Sequence, residues 1–177
     1  MSEKRKEVKM SKSVIVDVSA NELWQIVGPG FAEAGKWSTA VDHSVGHGEG
    51  KFEGATCDTR SCDLSAKGFS SVKERITEYD ASNRTLAFDV FEGMPGFVTY
   101  TNNRTLITEL GQDRSQAELQ ITMHMKPFLG WLLGGMLKKN LGNLIDSALD
   151  DLKVFAETGK PSDRKQARIK KLSANAA

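Results

Sequence analysis

The hydrophobic period of this chain changes once, at Pro127, and that change constrains the fold more than any other feature. Before it, apolar residues alternate: Leu86, Phe88 and Val90 share one face, and so do Ala117, Leu119, Ile121, Met123 and Met125. After it, Leu137, Leu141, Leu144, Ala148, Leu152 and Phe155 recur every three or four residues, which is a helical stripe. Ile145 and Leu149 widen the stripe, while Lys138, Lys139, Asp146, Asp150, Asp151 and Lys153 mark a wet face. A helix over 129–157 would be about 43 Å long at about 1.5 Å per residue. Gly159 and Pro161 supply its stop.

The rest of the chain fits around that switch. Residues 8–18 form a strand rich in β-branched side chains. Ser19 and Glu22 then make a capping box, with Val18 and Leu23 placed as a hydrophobic staple, so a short helix runs from Ala20 to Val27. Gly28-Pro29-Gly30 ends it, and Phe31 to Lys36 can form a second helical turn. Six further strands are expected over about 37–46, 54–62, 69–80, 84–92, 97–110 and 115–126. The short connections at Asp80-Ala81-Ser82-Asn83 and Gly111-Gln112-Asp113 imply antiparallel neighbours. The result is an α+β layout: a curved antiparallel sheet of about seven strands, covered on one face by the last helix.

Charge narrows the partners. Residues 1–12 carry a balance of +3 and residues 160–177 one of +5, while the body between them carries −7. An acidic body with basic ends is a poor footprint for nucleic-acid binding. The ends are expected to be solvated tails, residues 1–7 and 160–177, flanking one domain over 8–159. Weak contact of these tails with anionic surfaces is the most they imply, and deleting residues 1–6 and 162–177 is expected to leave folding intact. The apolar run from Pro127 to Leu137 is about half of the ~20 residues that span a bilayer. The N-terminal MSEKRKEVKM lacks a signal-peptide core, and two cysteines make no disulfide framework. A reduced, cytoplasmic protein of open oligomeric state is expected.

Several segments then carry a resemblance. They are Val18-Ser19-Ala20-Asn21-Glu22-Leu23-Trp24, Gly35-Lys36-Trp37, Gly54-Ala55, Val72-Lys73-Glu74-Arg75-Ile76, Arg84-Thr85-Leu86 and Leu149-Asp150-Asp151-Leu152-Lys153. In this order and spacing they resemble the START-like superfamily, specifically the polyketide cyclase/dehydrase and lipid-transport family known as SRPBCC. The resemblance implies a helix-grip fold, with the sheet wrapped around the long helix and an apolar small molecule held between them. It implies no single reaction, because the fold serves cyclases, hydratases, carriers and sensors alike. Two regions depart from the pattern. An inward arginine is common on the strand after Gly54-Ala55, where this chain has Cys57 and Asp58. A tyrosine is common near Asn102, where it reads Tyr100-Thr101-Asn102-Asn103.

Among chemistry-bearing residues, Glu74 stands out. It alternates with the apolar Val72 and Ile76 and so points inward. There it can act as a general acid or base, or be neutralised by an arginine as a structural pair. His43 and His47 would lie about 13 Å apart along a strand, and His124 shares a face with polar neighbours, so no metal site is expected. Glycine-rich phosphate motifs are absent, and no cofactor is expected. Trp37, Phe88, Met123, Met125, Met136 and Leu137 bracket the sheet and the long helix and suit a pocket wall, methionine being adaptable to varied apolar shapes. Tyr100 and Asn102 are candidates to orient a polar end. The leading expectation is a binder of a small hydrophobic ligand, lipid or polyketide-like, for carriage or sensing. The rival is a cyclase or dehydratase on an apolar carbonyl compound with Glu74 as acid/base, and a third is a protein-interaction module.

Overall fold

The computed structural model describes residues 6–65 and 70–175, with backbone alone for 128–134, 136, 137 and 175. The first strand, β1 (Lys6–Val16), runs into the expected capping box. Ser19 Oγ accepts from the Glu22 amide at 3.2 Å, and the Glu22 carboxylate accepts from the Ser19 amide at 3.0 Å. Two otherwise orphaned donors are thereby satisfied at the start of α1 (Ala20–Val27). Ala20, Leu23, Trp24 and Val27 form its buried face. Gly28 closes the helix where the chain folds against the Trp24 ring, and a Cβ there would lie 2.5 Å from that ring. A 3₁₀ turn (Phe31–Glu33) and the short α2 (Ala34–Trp37) follow.

Six strands come next: β2 (Val41–His47), β3 (Thr59–Leu64), β4 (Ser71–Asp80), β5 (Thr85–Glu92), β6 (Val98–Gly111) and β7 (Arg114–Met125). They join β1 in one antiparallel sheet of order β1-β7-β6-β5-β4-β3-β2. The expected strand over 54–62 begins later, because residues 48–58 form a loop. Gly48, Gly50 and Gly54 take positive φ there, and Asp58 Oδ1 accepts from the Lys51 amide at 2.6 Å. The strand expected over 37–46 likewise starts only at Val41, after α2.

The long helix is α3 (Pro127–Thr158), and it packs on β1 and β7. Among its described side chains, the apolar Leu141, Ile145, Leu149 and Leu152 are buried and join Met123, Met125, Ile121 and Phe88 in the main core. Leu144, expected within the stripe, is 46% exposed. Leu144 lies to one side of the face turned to β1 and β7. Among the described residues no helix is long and apolar enough to cross a membrane.

The C-terminal segment also departs from expectation. Residues Asp163–Asn175 form a further helix, α4, and its Lys165 is fully buried. The reading of residues 160–177 as a solvated tail is therefore corrected over Asp163–Asn175: a lysine whose ammonium reaches a buried carbonyl docks this basic stretch on the domain.

Candidate functional site

The site starts from alternation on β4. Val72, Glu74 and Ile76 are all buried on the face turned to the core. On the neighbouring β3, Arg60 stands directly opposite Glu74. Arg60 Nε donates to Glu74 Oε2, and its Nη1 donates to the Phe31 carbonyl at 2.5 Å. The guanidinium carbon lies 4.0 Å from the Phe31 ring centre and 4.9 Å from that of Phe88. Those two rings meet at 5.2 Å. A charged pair is thus built into an aromatic environment, where a planar guanidinium gains cation–π contact as well as hydrogen bonds.

An inward arginine does follow Gly54-Ala55, and it is Arg60 on β3. The loop over 48–58 shifts the strand's start to Thr59, so Arg60 and Cys62 are the inward residues of β3, while Cys57 is buried in the main core from the loop. Burial works against the Arg60 charge, but the Glu74 carboxylate outweighs it and holds the guanidinium above its ordinary pKa. Cys62 Sγ donates to Glu74 Oε2 at 3.6 Å. Burial, with the Glu74 carboxylate adding to it, pushes this thiol up to about 12. Burial raises the Cys57 thiol as well. Neither sulfur is a nucleophile in neutral solution, since the thiolate is the reactive form.

The wall residues divide. Phe88, Met123 and Met125 are buried in the main core, and Trp37 packs against both that core and a smaller cluster of Ala34, Val41, Cys62 and Val72. Val90 and Met94 pack on the smaller cluster too, and they help line a hollow of about 160 Å³ that reaches Thr101. Three buried polar atoms among the described residues have no hydrogen-bond partner: Trp37 Nε1, Thr39 Oγ1 and Thr101 Oγ1. The side chains of Met136 and Leu137 lie outside the described residues.

Tyr100 also lines that hollow, whereas Asn102 does not. Both sit on the outer face of β6, because alternation gives the inner face to Thr101, Thr105 and Ile107. Asn102 Nδ2 donates to Asp89 Oδ1 at 2.7 Å, and the Tyr100 ring lies 5.1 Å from that of His124. Partial burial and then a hydrogen bond to Asp89 raise the Tyr100 phenol. The histidines have separate partners: His47 Nε2 is 3.0 Å from Ser61 Oγ, and His124 Nε2 is 3.1 Å from Glu7 Oε2. No group of three metal-ligating side chains occurs among the described residues.

Against this geometry, the comparison with known families is decisive. A model described as polyketide cyclase / dehydrase and lipid transport matches residues 7–157. The chain belongs to that family. No curated protein matches it in sequence. Solved structures do match. A START superfamily protein from Mycobacterium smegmatis is 19% identical with a TM-score of 0.69, covering 84% of this chain and 97% of that one. Norcoclaurine synthase from Thalictrum flavum, in complex with dopamine and hydroxybenzaldehyde, is 18% identical at 0.65, covering 84% and 87%. The protein XoxI from Bacillus cereus is 16% identical at 0.67, covering 82% and 93%. At such identities the likeness shows the fold, a START-like helix grip. Members of the family bind hydrophobic ligands or act as cyclases.

Sequence reasoning overlooked Arg60, Phe31 and Thr101. For Arg60 a signal was present: it shares a strand face with Cys62, an apolar partner that marks the inside.

Proposed function

We propose that the protein binds a small apolar molecule between the sheet and α3, for carriage or sensing, and grips a polar end of that molecule from inside. The observation that carries this reading is the Arg60–Glu74 pair, stacked on Phe31 and Phe88 within an apolar interior. Such a pair is weak evidence for stability, because desolvating two charges costs about as much as their attraction returns, on the order of several kcal/mol. A hydrogen-bonding ligand gives the pair another use. Trp37 Nε1 can only donate and Thr101 Oγ1 can do either, so the fitting ligand carries an acceptor such as a carbonyl or carboxylate oxygen. Leaving each of these atoms unmatched costs about 1–3 kcal/mol, which a bound acceptor would remove. The hollow at Thr101, about 160 Å³, is below the ~300–1,000 Å³ of typical ligand sites. Binding therefore requires the adaptable side chains around it, Met94 among them, to give way.

The rival reading, cyclase or dehydratase chemistry with Glu74 as acid/base, is disfavoured by the pairing. Protonating Glu74 would leave a buried guanidinium without its counter-charge, a penalty that a working general acid avoids. Native mass spectrometry of freshly purified protein tests the binding reading. A co-purifying organic molecule, lost on unfolding and absent after extraction with solvent, is the expected result. Protein that shows only its own mass and takes up no added long-chain carboxylate or aromatic ketone would contradict it.

A further inference from the structure

We propose that α4 is a latch that holds the corner between α2 and β2 and thereby positions Trp37. This inference rests on the ligand reading above for its functional consequence, but not for its mechanics. The family model stops at residue 157, so α4 is an addition beyond the matched domain. Its composition alone would leave it in water, yet three of its first six residues reach inward.

Lys165 is fully buried, and its Nζ donates to the Val41 carbonyl at 2.6 Å. Burial lowers the Lys165 pKa, while Asp42 and Asp151 act in the opposite sense. Arg168 forms a two-pronged pair with Asp42, Nε to Oδ1 at 2.7 Å and Nη2 to Oδ2 at 2.5 Å. That geometry depends on an irregularity in β2, whose register with β3 shifts between Val41 and His43. A bulge re-aims a side chain, here Asp42, away from its place in the strand and toward α4. The Arg168 guanidinium in turn holds the Asp42 carboxyl below its ordinary pKa.

Asp151 of α3, also fully buried, joins the pieces. Its Oδ1 accepts from Ser162 Oγ at 2.5 Å and from Arg164 Nε at 2.7 Å, and its Oδ2 accepts from the Thr39 amide at 2.8 Å. Thr39, Val41 and Asp42 are therefore each tied to α3 or α4. Thr39 leads into β2 and Val41 and Asp42 open it; β2 is an edge strand of the sheet, and an edge has no neighbour on its outer side to fix it. Trp37 ends α2 only two residues before Thr39. Ser44 Oγ binds α2 onto β2 by accepting from the Gly35 amide at 2.9 Å and donating to the Ala32 carbonyl at 2.7 Å. Movement of the β2 start thus carries the Trp37 ring with it. The latch acts on the site through position, not by touching ligand.

Two full-length variants test this. Lys165→Met keeps the side chain's length and removes its donor, and Arg168→Gln removes one charge from a partly exposed pair. Hydrogen exchange read by mass spectrometry over residues 34–43, and the release rate of bound anilinonaphthalene sulfonate, are the two measurements. In Lys165→Met, exchange at 38–43 should rise about tenfold or more while amides of β5–β7 keep their protection. Probe release should quicken by about threefold or more, because Trp37 is freed. Arg168→Gln should show the same pattern at about a third of the size and serves if Lys165→Met does not fold. Unchanged exchange at 38–43 in a folded variant overturns the latch, and so does a uniform rise across all strands. Faster exchange with unaltered probe release overturns the link to Trp37. Wild-type protein that takes up no probe counts against the ligand reading instead, and the exchange data still judge the latch.

Discussion

Glu74→Ala is expected to lower the free energy of unfolding by about 3–5 kcal/mol, the cost of stranding a buried charge. Arg60 has 10% of its side chain exposed and Glu74 9%, so solvent screens the pair little. Without the carboxylate, the guanidinium keeps the Phe31 carbonyl and the faces of Phe31 and Phe88, but no counter-charge. Removing both charges should hurt less than removing one. Arg60→Met combined with Glu74→Leu is expected to lie within about 2 kcal/mol of the wild type, since apolar replacements of buried pairs are often neutral. Urea denaturation of the two single variants and the double variant closes the cycle. A Glu74→Ala loss under about 1 kcal/mol would mean that water reaches the pair.

The second large effect separates two neighbours on α3. Ile145→Asp places an unpaired carboxylate at a position 1% exposed, within the core that Leu141, Leu149 and Leu152 share. Its cost should be on the order of 4 kcal/mol or more, a large part of the ~5–15 kcal/mol that holds a domain together. Leu144→Asp, at 46% exposure, should change stability by only about 0.5 kcal/mol. Thermal melts of both variants provide the check. Equal losses would show that α3 sits on the sheet in a different rotation.

Those two residues also show what the sequence could reveal. Periodicity identified α3 and its apolar side, but a stripe of Leu141, Leu144, Ile145, Ala148 and Leu149 is wider than the face one sheet edge can cover. Which margin stays wet depends on where the helix crosses β1 and β7, a tertiary fact. The capping box at Ser19 and Glu22 was legible because its partners are three residues apart. Glu74 was legible as inward through Val72 and Ile76, while its partner on β3 was obscured by a loop that displaced the strand's start. The docking of α4 left no local trace: Lys165 lies in a run as polar as any solvated tail, and its acceptor, Val41, is far away in sequence. The acidic pair Asp150-Asp151 facing a basic segment was the available hint.

The central claim, an apolar ligand held inside against the sheet, is tested most directly by methionine methyl NMR. Four of the six methionines serve as reporters here. Met123 and Met125 are buried on the inner face of β7, Met94 packs on the same small cluster as Trp37 and Val90, and Met10 lines an open groove of about 450 Å³ between β1 and α3. Protein labelled with ¹³C at the methionine methyls would be titrated with decanoate, an apolar chain ending in an acceptor. The account predicts saturable shifts at Met94, Met123 and Met125, with Met10 unmoved, and loss of those shifts in Arg60→Met. Shifts at Met10 alone, or none at any methyl while the protein stays folded, would contradict it.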